Sequence, residues 1–343
     1  MKRTFSALMA AIMILTMTAC GGPASKEPAQ SGGAASSGGA ASSAAQTPET
    51  PVWPTMNQVE FVVPYAAGGD TDLYCRAIAN AMSEKFGITF VVSNVTGAGA
   101  MNAAVDVLEG ASDGSKFLFG HNTYLAYTAA GTAAVDVVTE MKAAGAIVAD
   151  NSLCIYATAA SGFKSMQDVI DACNAGKEVR ISTVANTYPN YCIRKMIKEA
   201  GVDIRTVETG SLVGEQVIAA MDGQCELVQG QYIAVKDYVE NGDFNVIGVF
   251  SEEPPAGMEN VKTFKSQGIN VVEPKYYCFW ANPDMDDDIV NAFSAALSDI
   301  QNDAGLLEVL ASYYAGVGYM NPAEMQAMEE STVAQMKEYF TAS

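Results

Sequence analysis

An apolar strand, a pair of glycines and a helix start follow one another over residues 59–80 (VEFVVPYAAGGDTDLYCRAIAN), and this order constrains the fold more than any other stretch. Residues 59–63 have the β-branched and aromatic content of a buried strand. Pro64 ends it, because proline has no amide hydrogen to give to a sheet. Gly68 and Gly69 let the backbone turn tightly and leave its amides uncovered. Asp70, Thr71 and Asp72 are helix-starting residues, Leu73, Ile78 and Met82 recur at helical spacing, and Gly87 closes the helix. A helix N-terminus beneath uncovered amides attracts an anion, so the loop is read as the holder of an acidic group on a small ligand.

The second half of the chain repeats this logic. Residues 179–184 (VRISTV) form a strand that runs into Ala185-Asn186-Thr187-Tyr188-Pro189 and then a helix to Ala200. Two matching loops in one chain argue for a ligand cleft between two domains. Between them lie strands over 88–95 and 116–120, with His121 and Asn122 at the end of the latter, where the ligand sites of open sheets collect. TGAGAMNAA (96–104) has two glycines of a dinucleotide fingerprint, but Asn102 stands where a third Gly or Ala belongs, so it reads as a tight strand-to-helix connection and no cofactor is expected. Strands follow at 143–149, 152–158, 202–208, 226–228, 244–250 and 276–281, and beyond Pro283 the pattern turns helical to the end. Strands alternating with helices predict an α/β protein with mostly parallel sheets.

The chain of 343 residues is long enough for two domains, and its formal net charge of -20 argues against nucleic acid, which demands clustered Lys and Arg. The same charge favours a monomer. At the N-terminus Lys2 and Arg3, an apolar stretch over 7–15 and Met17-Thr18-Ala19-Cys20 resemble a bacterial lipoprotein signal, with Met17 where Leu is preferred. That makes residues 1–20 a signal peptide, Cys20 a lipidation site and the cell membrane the place of anchorage. Residues 21–56, rich in Gly, Ala, Ser and Pro, read as a tether, with folding expected to begin at 53–58. The other six cysteines sit singly inside helical or strand patterns and read as free, buried thiols; no CxxC occurs, so no metal site is expected.

These residues resemble the substrate-binding proteins of tripartite tricarboxylate transporters, the Bug proteins. The resemblance is carried by FVVPYAAGGDTD (61–72), Arg76, SNVTGAGAMNAA (93–104), DGSKFLFG (113–120), ISTVANTY (181–188), the turn at 207–210, GQCELVQG (223–230) and NVKTFKSQGINV (260–271). It implies a two-lobed periplasmic-binding-protein fold of type II-like form with two crossover segments, lobe one spanning 57–153 plus 276–343 and lobe two 154–275. It also implies capture of a small carboxylate (a di- or tricarboxylate, an acidic amino acid or an aromatic acid) and its delivery to membrane transporter subunits. The ligand carboxyl would sit on two loops. The first maps onto Tyr65, Ala66, Ala67, Gly68, Gly69, Thr71 and Asp72, with Asn122 beside it. The second maps onto Thr183, Ala185, Asn186, Thr187 and Tyr188, with Thr209, Gly210 and Glu226 bearing on the far end of the ligand. Here Ala67 stands for a frequent family proline, Glu208-Thr209-Gly210 for a Tyr-Lys-Gly turn, and Glu226 for an aspartate. Rival readings are an exported sensor that presents its ligand to a signalling receptor, and an exported hydrolase using His121 or a cysteine; no GxSxG motif accompanies that single histidine.

Neither 61–75 nor 183–192 contains Lys or Arg, and Arg76 reads as a structural ion-pair partner. A carboxylate in the cleft is therefore expected to rely on backbone amides, on the hydroxyls of Thr71, Thr183 and Thr187, and on two helix N-termini.

Overall fold

The computed structural model describes residues 52–340; residues 1–20, read above as a signal peptide ending at Cys20, and nearly all of the 21–56 segment lie outside the described residues. In chain order the strands are β1 (Gln58–Val63), β2 (Thr89–Asn94), β3 (Lys116–His121), β4 (Lys142–Asp150), β5 (Leu153–Thr158), β6 (Arg180–Ser182), β7 (Arg205–Val207), β8 (Leu227–Gln231), β9 (Phe244–Val249), β10 (Lys275–Ala281) and β11 (Ala315–Met320). The helices are α1 (Asp70–Phe86), α2 (Met101–Leu108), α3 (Thr123–Ala130), α4 (Val137–Glu140), α5 (Met166–Asn174), α6 (Tyr188–Ala200), α7 (Val213–Met221), α8 (Tyr232–Glu240), α9 (Asp287–Ile300), α10 (Ala304–Ser312) and α11 (Pro322–Phe340).

Two sheets result, one per lobe: β11-β4-β10-β3-β1-β2 and β7-β6-β8-β5-β9. The chain crosses at residues 151–152 and again between β9 and β10. Leu153 thus belongs to the second sheet and Lys275 to the first, each one residue from the boundary read in the sequence. The sheets are mixed rather than mostly parallel. Strand–helix–strand units such as β1–α1–β2 and β6–α6–β7 stay parallel, as crossover connections demand. The strands that carry the chain between lobes do not: β10 is antiparallel to β3 and β4, and β5 to β8 and β9.

The glycine-rich 315–320 segment, read as punctuation among helices, is β11, an edge strand on β4. Its glycines lower strand propensity, yet Gly318 is needed there: a Cβ would stand 2.6 Å from Ala149 Cβ. The glycine turn after β2 is a tight connection, closed by the Asn102 side-chain amide donating to the Thr96 carbonyl (3.0 Å).

Lobe one is built on an aromatic core. Phe117 and Phe293 stack at 3.9 Å between centroids, and Phe61 and Phe279 lie 4.8 Å apart. Trp53, which falls inside the segment read as a tether, is part of this core. It is 5% exposed, meets the rings of Phe86, Phe90, Phe117 and Phe293 edge-on, and donates its indole N–H to the Gly114 carbonyl (2.7 Å). The six cysteines of the described residues are free thiols, all but Cys173 buried.

Helix α11 returns across lobe one and buries Glu329, 1% exposed, against Trp280, whose indole N–H donates to Glu329 Oε1 (2.6 Å). Burial pushes this carboxyl up to about 8, with the Trp280 bond opposing. A carboxyl whose folded pKa lies above its ordinary 4.5 costs stability as pH rises from that value through the folded one. Glu329→Gln keeps an acceptor for Trp280 and removes the charge. Urea denaturation across pH should show the wild type losing up to about 4 kcal/mol between pH 5 and 8 that the variant retains. Parallel pH profiles would contradict this reading of Glu329.

Candidate ligand-binding cleft

The carboxyl ends of β1 and β3 in one sheet face those of β6 and β8 in the other, and a direct bond links the two sides: Gln231 Nε2, at the end of β8, donates to Asp70 Oδ2, at the start of α1 (3.2 Å). The first loop thus meets the second sheet at β8, the strand beside β6 that leads into the second loop.

In the first loop Gly69 is the N-cap of α1, and it is Gly68, at φ +87°, that needs to be glycine. Gly69 has extended backbone, and a Cβ there would meet only the Ala66 carbonyl at 3.6 Å. Ala66, Ala67, Gly68 and Gly69 are exposed, whereas Thr71 and Asp72 are buried. The amides are less open than the sequence implied. Asp72 accepts from Gly68 N (2.9 Å) and is clamped by Arg76 (2.8 Å) and Asn94 (2.9 Å), so Arg76 is the structural partner expected, and Asp72, read as a ligand contact, is instead engaged within its own lobe. Asp70 accepts from Thr71 N (2.7 Å). Tyr65 stacks flat on His121 at 5.0 Å. Asn122 is buried, donating to the Pro274 carbonyl (3.2 Å) and accepting from Tyr276 N (3.0 Å), so it ties the cleft to the second crossover.

In the second loop Thr187 caps α6, its hydroxyl accepting from Asn190 N (3.4 Å) and donating to the Val184 carbonyl (2.7 Å). Asn186 takes the left-handed conformation (φ +60°) that allows the turn. Ala185 N donates to Glu208 (3.0 Å), and the buried Tyr188 donates its hydroxyl to the Pro274 carbonyl (2.8 Å). Thr183 is 4% exposed and its hydroxyl has no partner among the described residues.

Thr209 and Gly210 reach the same end of the second sheet, where Thr209 and Ser182 share a hydrogen bond (2.7 Å) and Gly210 accepts from Gln216 (3.1 Å). Glu226 does not belong to the cleft. It precedes β8, so five residue rises along the strand, roughly 17 Å, separate it from the cleft end at Gln231. There it holds Arg180 (2.7 Å) and lines a separate cavity of about 370 Å³ with Thr158, Lys177 and Asp243. Sequence order alone does not show at which end of a short strand a residue falls.

Sequence reasoning missed the charge at the base of the cleft. Lys275, 4% exposed, donates to Asp70 Oδ2 (2.7 Å), which also accepts from the Tyr277 hydroxyl (2.5 Å). Burial alone would raise the Asp70 carboxyl; the Lys275 charge, with the Lys275 and Tyr277 hydrogen bonds, holds it well below the usual carboxylate range. Lys275 is also in register with the fully buried Asp150 at the first crossover, which accepts from Ser152 N and Oγ (2.8 and 2.7 Å) and is pushed up by burial. The absence of cations within the two loops hid a lysine that arrives from a strand some two hundred residues later. His121 is 7% exposed, accepts from Thr123 N at Nδ1 (3.3 Å) and is kept neutral by burial and by Lys275. It serves the stack on Tyr65. Among the described residues no cluster of metal-ligating side chains occurs.

A family model described as tripartite tricarboxylate transporter family receptor, TctC, matches residues 74–342. The chain belongs to this family. The match begins just after Asp72, so β1 and its glycine loop precede it. A Cupriavidus necator relative, the UPF0065 protein in the gbd 5' region, is 24% identical over 290 residues, covering 81% of this chain and 85% of its own. Among solved structures, R. palustris Rpa4515 with adipate matches at TM-score 0.73 and 21% identity, over 84% of this chain and 97% of that one. MatC from Rhodopseudomonas palustris with bound malate matches at TM-score 0.70 and 18% identity, over 82% and 98%. At these identities the likeness shows the fold: this TctC-family receptor has the two-lobed architecture of periplasmic binding proteins.

The Asp70–Lys275 pair gives a test of how the receptor's cleft is held. Lys275→Met leaves a carboxylate without its counter-charge and should cost about 3 kcal/mol in urea denaturation at pH 7. Adding Asp70→Asn should recover most of that loss. Because the folded carboxyl lies below its ordinary pKa, the contribution is present at neutral pH and fades only as pH falls beneath the ordinary carboxylate range. A Lys275→Met protein as stable as wild type would refute the pairing.

Proposed function

We propose that this receptor is an extracytoplasmic solute-binding lipoprotein that takes a small carboxylate between its lobes and delivers it to a tripartite tricarboxylate-type membrane transporter. The observation that carries the reading is the approach of the β1–loop–α1 element to the carboxyl edge of the second sheet, where Gln231, at the end of β8 beside β6, donates to Asp70. The buried, unpartnered hydroxyl of Thr183 stands at the end of the neighbouring β6. The malate and adipate carried by two proteins of like fold support a carboxylate as cargo, and the family description supports the transporter as its destination. In this reading residues 65–69, Thr71 and Asn122 contact the ligand from one lobe, and Thr183, residues 185–188, Thr209 and Gly210 from the other, in a protein that binds without turnover.

Binding of the native state alone raises stability, by about 2.7 kcal/mol at a ligand concentration of 100 times the dissociation constant. A thermal-shift screen of mono-, di- and tricarboxylates should give a clear rise for at least one. Shifts confined to neutral sugars or cationic amino acids would overturn the carboxylate assignment.

The lipid anchor rests on Met17-Thr18-Ala19-Cys20. Cys20→Ala should release the protein from the membrane fraction or leave its signal uncleaved. Unchanged attachment and processing of that variant would rule out lipidation at Cys20.

A further inference from the structure

Gln229 is 3% exposed, and neither its Oε1 nor its Nε2 has a hydrogen-bond partner among the described residues. It sits on β8 two residues before Gln231 and so shares that residue's face, the one from which Gln231 reaches across to Asp70. The parallel register pairs Ile181 with Leu227, which puts Thr183 level with Gln229 at the ends of neighbouring strands, their side chains on one face. Two adjacent buried side chains on the cleft-facing end of lobe two therefore carry three unmet polar atoms.

On the opposite wall the Tyr65 hydroxyl is likewise unpartnered among the described residues, but the loop amides are not free. There the loop amides of Gly68 and Thr71 are already taken by Asp72 and Asp70, and Arg76 and Lys275 balance the two charges. Of the Asp70–Lys275 pair, the carboxylate side chain is 26% exposed and the lysine 5%, so the cleft meets the acid.

We propose that Gln229 and Thr183 select a carboxylate that bears an N–H or O–H donor on the carbon next to it, with amino acids preferred over hydroxy acids. The inference rests on the carboxylate reading above and names the ligand class. A carboxylate oxygen accepts from Gln229 Nε2 and the Thr183 hydroxyl, and Gln229 Oε1 accepts from the neighbouring donor. A ligand without that donor leaves a buried carbonyl oxygen unmet, which is costly. The exposed edge of Asp70 favours an ammonium over a hydroxyl at the same place.

The test uses matched sets differing only at that carbon: succinate, malate and aspartate; glutarate, 2-hydroxyglutarate and glutamate; propionate, lactate and alanine. Calorimetry on the wild-type protein should rank the amino acid above the hydroxy acid and the hydroxy acid above the plain acid in whichever set binds. The donor should be worth about tenfold. Gln229→Met should bring the three members to within about threefold, whereas Thr183→Val should weaken all three alike. Equal binding across a set, or an unchanged ranking in a folded Gln229→Met protein, overturns the inference and leaves the carboxylate reading standing. No binding in any set by a folded protein that takes up other carboxylates also overturns the inference alone. No binding of any carboxylate overturns both.

Discussion

The ion pair between Asp70 and Lys275 connects the parts of this receptor that have to act together. Asp70 opens α1 and so belongs to the glycine loop; Lys275 opens β10 and so belongs to the chain's return from lobe two; Gln231 approaches the same carboxylate from lobe two itself. A carboxylate and an ammonium in a buried setting are tolerable only when each satisfies the other and further donors are supplied, and the Tyr277 hydroxyl and Thr71 amide supply them. Asp150 stands in register with Lys275 at the first crossover, so both passages between lobes converge on one lysine.

This arrangement changes what the helix N-termini do. Uncovered amides would draw in any anion. In the folded chain Gly68, Thr71 and Ala185 amides are engaged by the protein's own Asp72, Asp70 and Glu208. Spare polar capacity remains at the Tyr65 hydroxyl on the first lobe and at Thr183 and Gln229 on the second. Under the proposal above, a ligand is selected through lobe two while it tolerates the acid on lobe one.

Features encoded by neighbouring residues were legible in the sequence. Gly87 ends α1 in the left-handed conformation, and the strand at 59–63 and its glycine loop lie where local pattern puts them. What was not legible depends on pairing at long range. The antiparallel strands, the importance of Lys275, and the registration of Gln229 with Thr183 follow from which strand lies beside which, and hydropathy does not encode that. Glu226 was misplaced for the same reason, and which of Gly68 and Gly69 has to be glycine was not legible because only φ distinguishes them. The edge strand β11 was hidden by glycines that its close approach to Ala149 requires.

Trp53 bears on how the folded part withstands a pull. Its ring is wedged among Phe86, Phe90, Phe117 and Phe293 at the amino ends of the lobe-one strands, the pole away from the cleft. Mechanical load reaching the chain from its N-terminal side is therefore taken up by this aromatic cluster and by β1 in shear between β2 and β3. That cluster lies at the end of β1 opposite Asp70 and Lys275, so a pull from the N-terminal side meets the aromatic core before it reaches the cleft.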